Sequence, residues 1–134
     1  METYEVTVID QLSKVEEPLT VEVETAGEGG GVSIRASLLG REVTGVADAP
    51  YPAFQAFRDE ILKMGFGLQC CGARANAVQP DELLGSDRVA LVRPGKKELM
   101  GEPVSMWEPA KMDVFPATIH QQGFSKRWRE MEPV

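Results

Sequence analysis

The residues of this chain that could do chemistry are few, and their spacing argues against most enzyme classes. His120 is the only histidine, and Cys70 and Cys71 are the only cysteines. Metal sites usually draw on several His, Cys or carboxylate ligands. A nucleophile–base pair would have to use His120, which lies in a polar run without a nucleophile elbow beside it. We therefore predict no catalytic residue, no metal and no cofactor, while a small enzyme stays open as an alternative.

The two cysteines are adjacent, and a disulfide between neighbours demands strained geometry. Strand alternation places Cys70 on the same face as Phe66 and Leu68, with Cys71 on the other face. Free cysteine commonly acts as a small buried hydrophobe, whereas a reactive thiolate needs an accessible, electropositive setting. We expect the pair to be structural.

Acidic residues are concentrated at one end of the chain. Residues 1–30 contain eight acids and one base, a net charge of −7 that equals the charge of all 134 residues. Such a field attracts basic partners and repels phosphate backbones. Two interpretations stay open: a solvated face kept charged for solubility, or an acidic docking face for a basic protein. The candidate partner-binding acids are Glu5, Glu22, Glu24 and Glu28.

A second candidate site follows an apolar strand, where Arg74 and Asn76 stand close together. Arg74 could form a bidentate pair with Asp81 or Asp87 and fix the loop. It could equally be presented to a ligand carboxylate. The second option implies a small-molecule pocket at this strand exit.

The basic run Lys126–Arg129 is the one candidate for nucleic-acid contact. It is short, is followed by Glu130 and Glu132, and belongs to an acidic chain, so we predict no nucleic-acid binding. We expect the tail to pack through Trp128 while its cations balance the acidic sheet.

The elements that must position these residues follow from hydrophobic periodicity. Apolar and polar residues alternate over 4–9, 20–24 and 32–38, with a shorter extended piece over 41–46, which predicts antiparallel strands around a glycine-rich hairpin tip. Phe54, Phe57, Ile61 and Met64 recur at helical spacing and predict a helix over 52–64, ended by Gly65.

Three more strands are predicted over 66–71, 88–93 and 103–108, and the tail 118–131 has helical character interrupted by Gly123. A length of 134 residues fits one domain. The sequence therefore predicts a single α+β domain spanning 1–134. It should have a mainly antiparallel sheet of about six strands on one main helix, and a short C-terminal helical tail.

The segment 51–107 resembles a family of small bacterial cytoplasmic proteins. In that family a helix of the type F-x-x-F-R-x-x-L leads to a strand ending in C-x-G-A-R-x-D/N. Phe54, Phe57, Arg58 and Ile61 match the first motif, and the run from Cys71 to Arg74 with Asn76 matches the second. The family's usual Ser-Gly-Met segment is replaced here by residues 78–82. The resemblance implies an accessory or immunity role beside bacterial toxin or secretion systems.

These observations lead to one functional hypothesis and one alternative. The hypothesis is a non-enzymatic, immunity-type inhibitor that binds and occludes a basic toxin or effector domain. The alternative is a small-molecule binder or small enzyme with its pocket at Arg74 and Asn76. The N-terminus lacks a secretory pattern and no apolar run could span a bilayer, so we expect a cytoplasmic protein without membrane contact. An exposed edge strand would allow a homodimer, although no residue demands it.

Overall fold

The computed structural model describes residues 1–27 and 30–132 and contains eight strands and two α-helices within them. The strands are β1 (Glu2–Asp10), β2 (Glu16–Thr25), β3 (Val32–Leu38), β4 (Arg41–Ala47), β5 (Phe66–Leu68), β6 (Ala77–Val78), β7 (Arg88–Leu91) and β8 (Val104–Ser105). The helices are α1 (Pro50–Lys63) and α2 (Thr118–Glu130). The α+β fold class is confirmed.

The larger sheet has the order β4-β3-β2-β1-β5 and is antiparallel throughout. Valines and other apolar residues occupy alternate positions of the first four strands, so one face is buried and the other faces solvent. Between β2 and β3, Glu22 faces Arg35 and Glu24 faces Ser33. This alternation fixes the register, because a slip of one residue would turn the valines outward.

Helix α1 covers the buried face of this sheet. Phe54, Phe57 and Ile61 are fully buried at the helical spacing seen in the sequence. The helix starts at Pro50, two residues before the prediction, since proline is well suited to the first turn. It ends before Gly65, whose positive φ of 86° suits glycine. Arg58, which the apolar spacing left off the core face, is buried as well.

A smaller three-stranded sheet holds β6, β7 and β8 in that order. The sequence predicted one sheet of about six strands, and the structure divides its strands between two. The strand predicted over 66–71 stops at Leu68, because the chain turns into a 3-10 helix at Cys71–Ala73. The strands predicted over 88–93 and 103–108 are likewise shorter, and β7 is central in this sheet.

Two groups of buried apolar side chains hold the layers together. The main group lies between α1 and the large sheet and includes Trp107. The second consists of Val78, Ala90, Val92 and Trp128, and fastens α2 to the small sheet. Helix α2 runs through Gly123 without a break, which corrects the interruption predicted there. Neither helix of the described chain is long and apolar enough to span a bilayer.

Candidate functional site

The solvent-facing side of the large sheet, here called the outer face, carries the predicted acidic residues. Among residues 1–27 and 30–132, α1 packs on the opposite side of the sheet and no helix covers this face. Glu5, Glu22 and Glu24 share the face, as their alternation with buried valines requires. Glu42 on β4 joins them by the same alternation, although it was not predicted. Glu28, the fourth predicted acid, lies outside the described residues.

Arg35 is the cation at the centre of the outer face. Its Nη2 lies 3.4 Å from Oε2 of Glu22, with both side chains nearly half exposed. Exposed pairs of this kind contribute little to stability. Glu5 accepts a hydrogen bond from the hydroxyl of Thr20. Glu16 also lies on this face by the alternation of β2, but Lys111 binds its carboxylate at 2.8 Å. The other four carboxylates against one guanidinium leave the face with a clear negative excess.

A shallow concavity of about 720 Å³ opens on the outer face. It is lined by side chains of three neighbouring strands, among them Thr20, Glu22, Arg35, Ser37 and Glu42. The lining is polar and includes short hydroxyl side chains beside the acids. A cationic side chain entering it would meet Glu22 and Glu42 from two sides.

Arg74 and Asn76 have different hydrogen-bond partners in the structure. Asn76 donates from Nδ2 to the carbonyl of Val92 at 2.8 Å, which fixes the loop to the small sheet. Arg74 is half-buried and makes no ion pair among residues 1–27 and 30–132. The predicted pairing of Arg74 with Asp81 or Asp87 is wrong, because Asp81 pairs instead with Arg129 at 2.9 Å.

The C-terminal tail does pack through its tryptophan. Trp128 donates from Nε1 to the carbonyl of Lys97, and the Lys97 ammonium lies 4.5 Å from the ring centroid. Arg129 binds Asp81 and the carbonyl of Gln79, both in the loop after β6. This corrects the expectation that the tail's cations balance the acidic sheet.

Sequence reasoning missed a buried polar cluster where α1 meets α2. Arg58, only 1% exposed, donates from Nη2 to Oε1 of Gln121 at 2.6 Å and to the Thr118 hydroxyl at 3.1 Å. Gln121 in turn donates from Nε2 to the carbonyls of Gly72 and Arg74. Nη1 of Arg58 is the one buried side-chain nitrogen without a partner in the described chain. The cluster joins α2 to α1 and to the turn at Gly72.

Both cysteines are buried, which agrees with the structural role predicted for the pair. Burial raises the pKa of the Cys70 thiol well above its ordinary range, and the neighbouring Cys71 raises it further. Burial also raises the pKa of Cys71, despite the opposing field of Arg74. Both thiols are therefore protonated at neutral pH, which removes the nucleophilic form. His120 lies exposed on α2.

Elsewhere in the described chain, His, Cys, Asp and Glu side chains form no group of three that could hold a metal ion. Comparison with known proteins adds no relative: no protein-family model matches the chain, and no curated protein resembles it significantly. The resemblance noted in the sequence thus stays a prediction, and function has to be argued from the outer face.

Proposed function

We propose that this protein is a non-enzymatic binding module whose acidic outer face docks a basic protein. The observation that carries the proposal is the exposed set of four carboxylates around one arginine on a rigid sheet. An immunity-type inhibitor, which occludes the functional surface of a cationic toxin or effector domain, fits this description best.

The placement of the acids supports a docking role over simple solubility. Glu22 and Glu24 lie on β2, a strand flanked by partners on both sides, so their backbone positions are fixed by two ladders. Fixed charges of one sign raise the association rate with an oppositely charged partner and suppress unsuitable ones. Thr20 and Ser37 between the acids keep the surface low enough for close approach.

A capture experiment tests the proposal. The tagged protein is exposed to native lysate at about 50 mM and about 500 mM salt, which changes the screening length severalfold. We expect a basic protein to be retained at low salt and lost at high salt. Recovery of the bait alone under both conditions would contradict the proposal.

Matched charge variants then locate the binding surface. Glu22→Lys with Glu24→Lys changes the outer face, while Glu98→Lys with Glu102→Lys makes the same charge change in the exposed loop before β8. We expect the first pair to weaken binding by about tenfold or more and the second to have a much smaller effect. Equal effects of both pairs would assign the attraction to net charge and reject the outer face as the site.

A further inference from the structure

The inference concerns the free edge of the large sheet and deepens the proposed function, on which it rests for the basic nature of the partner. Strand β4 is the last strand in the order β4-β3-β2-β1-β5, so one of its sides has no strand neighbour within the part of the chain that the structure describes. Strand edges carry unpaired N–H and C=O groups that can accept another strand.

The register identifies which backbone groups face this edge. Leu39 and Gly40 both have positive φ, 52° and 76°, and connect β3 to β4 as a two-residue hairpin. The flanking pair of such a hairpin, Leu38 and Arg41, exchanges hydrogen bonds, and bonded pairs then alternate along the ladder. The N–H and C=O groups of Glu42, Thr44 and Val46 therefore point away from β3.

A groove follows this edge between β4 and the C-terminal half of α1. It has a volume of about 330 Å³ and is lined by Arg41, Glu42, Val43, Thr44, Glu60, Lys63 and Met64. The volume accommodates the side chain of an extended segment. The two cations and two carboxylates of the lining cancel, and half-buried Met64 supplies an apolar surface.

We infer that this edge and groove bind an extended segment of the basic partner by strand addition. The segment pairs antiparallel to β4 and forms hydrogen bonds with the backbones of Glu42, Thr44 and Val46. The segment residues opposite these three have their side chains on the outer face as well. Of these three β4 residues, Glu42 is acidic and Thr44 and Val46 are uncharged, while further acids lie on β2 and β1 of the same face. A basic residue is therefore required opposite Glu42, and the negative excess of the face favours basic residues at the other two positions. The intervening residues point to the α1 side, and the one opposite Val43 enters the groove beside Met64. The segment recognised is one in which basic and apolar residues alternate.

A synthetic seven-residue peptide of alternating lysine and leucine, starting with lysine and fluorescently labelled, is the probe. Two N-methylated forms have the same composition and charge: one is methylated on lysine amides, which bond to β4, and the other on leucine amides, which point away. We expect methylated lysine amides to weaken binding by about tenfold or more, since several backbone hydrogen bonds to β4 are lost at once. Methylated leucine amides should leave affinity nearly unchanged.

Thr44→Pro tests the edge from the protein's side. Proline removes the outward N–H of Thr44 but no ladder bond, which is the position where an edge strand tolerates it. We expect Thr44→Pro to weaken peptide binding by about tenfold, while Thr44→Ala, which keeps the amide, binds like wild type. Because the methylated peptides leave the protein unchanged, a folding defect in Thr44→Pro would not prevent the test.

The outcomes separate this inference from the proposed function. Binding that is indifferent to N-methyl position and to Thr44→Pro, yet falls with the Glu22 and Glu24 reversals, overturns strand addition and leaves the acidic face intact. Loss on lysine methylation without any effect of those reversals supports strand addition and contradicts the acidic face. An absence of peptide binding at low salt overturns strand addition, and lysate capture then decides the proposed function alone.

Discussion

Arg58 of α1 and Gln121 of α2 are joined by a 2.6 Å hydrogen bond inside the molecule, where both side chains are almost completely buried. Arg58 also binds its neighbour Asp59 and a second residue of α2, Thr118, while Gln121 reaches a third element, the turn at Gly72. The attachment of α2 to α1 thus depends on a polar contact in a setting where an unpaired group is costly.

Removing the arginine should loosen α2 from the rest of the fold. We expect Arg58→Met, similar in volume, to lower the free energy of unfolding by about 1–3 kcal/mol, because the charged donor to Gln121 and Thr118 is lost and the Gln121 oxygen keeps only the amide of Gln55 as a donor. Urea unfolding followed by circular dichroism measures the change. Lys63→Met removes an exposed cation from the same helix, and a similar loss in that variant would refute the specific role of Arg58.

Gly45 makes the closest approach between β4 and α1. A Cβ atom there would lie 2.3 Å from the backbone nitrogen of Phe57 and 2.5 Å from the carbonyl oxygen of Ala53. These are backbone atoms of a packed helix, so Gly45→Ala should lower stability by about 3 kcal/mol.

Gly123 provides the opposite case in α2. Its nearest contact for a Cβ atom is the flexible end of Arg127 at 3.4 Å, so Gly123→Ala should gain about 0.5–1 kcal/mol from helix propensity. In thermal melts, we expect Gly45→Ala to lower the melting temperature and Gly123→Ala to raise it. The packing argument fails if Gly45→Ala is as stable as wild type.

Leu39 adopts a left-handed backbone conformation that costs a side-chain-bearing residue about 1–2 kcal/mol. Its side chain is 69% exposed and contributes little packing. Because asparagine tolerates this conformation better, Leu39→Asn should raise the free energy of unfolding by about 1 kcal/mol. Leu84 is similarly exposed but has a φ of −59°. An equal gain from Leu84→Asn would assign the effect to lost surface hydrophobicity instead.

Stability should fall in alkali. Burial raises the pKa of Cys70 and Tyr51 in the folded protein, and burial together with Glu2 raises that of Tyr4 to about 12. The folded state therefore keeps protons that the unfolded chain releases, so this stability is complete below about pH 8 and declines above about pH 9. Protonated Cys70 alone corresponds to about 2 kcal/mol lost by pH 10.

Urea unfolding at about pH 7.5 and pH 10 checks this decline, and Cys70→Ala should show a smaller difference between the two. At pH 8 both thiols should resist iodoacetamide until the protein unfolds. Rapid alkylation of the native protein would show that a thiolate is accessible after all.

The parts of the fold that the sequence predicted are those with local causes. Alternating valines define β1 to β3 within each strand, and the spacing of Phe54, Phe57 and Ile61 defines α1 within four turns. No local sequence pattern predicts that β5 ends at Leu68. Gly67 packs against the ring of Phe115, forty-eight positions away along the chain, and no local pattern records that contact.

In the candidate site too, some residues could be predicted from a local pattern and others depend on contacts between distant parts of the chain. The acids of β2 share a face because alternation requires it, so sequence sufficed to group Glu22 with Glu24. Glu42 joins them only through the pairing of β3 with β4, which places it opposite Ser37. From the sequence, Arg58 is predicted to be a surface residue of α1. Its burial depends on a hydrogen bond to Gln121, which lies on a helix distant in sequence.

The two tryptophans occupy different apolar groups of the molecule. Trp107 stacks on Tyr4 at 5.2 Å and meets the edge of Phe54 at 5.0 Å, whereas Trp128 lies under the Lys97 ammonium beside Val78. Each indole is thus a fluorescent reporter on its own part of the protein. A form retaining Trp107 alone follows the helix-covered sheet, and a form retaining Trp128 alone follows the docking of the C-terminal helix. The fluorescence of the two natural tryptophans can therefore show whether the helix-covered sheet unfolds and the C-terminal helix detaches together or one after the other.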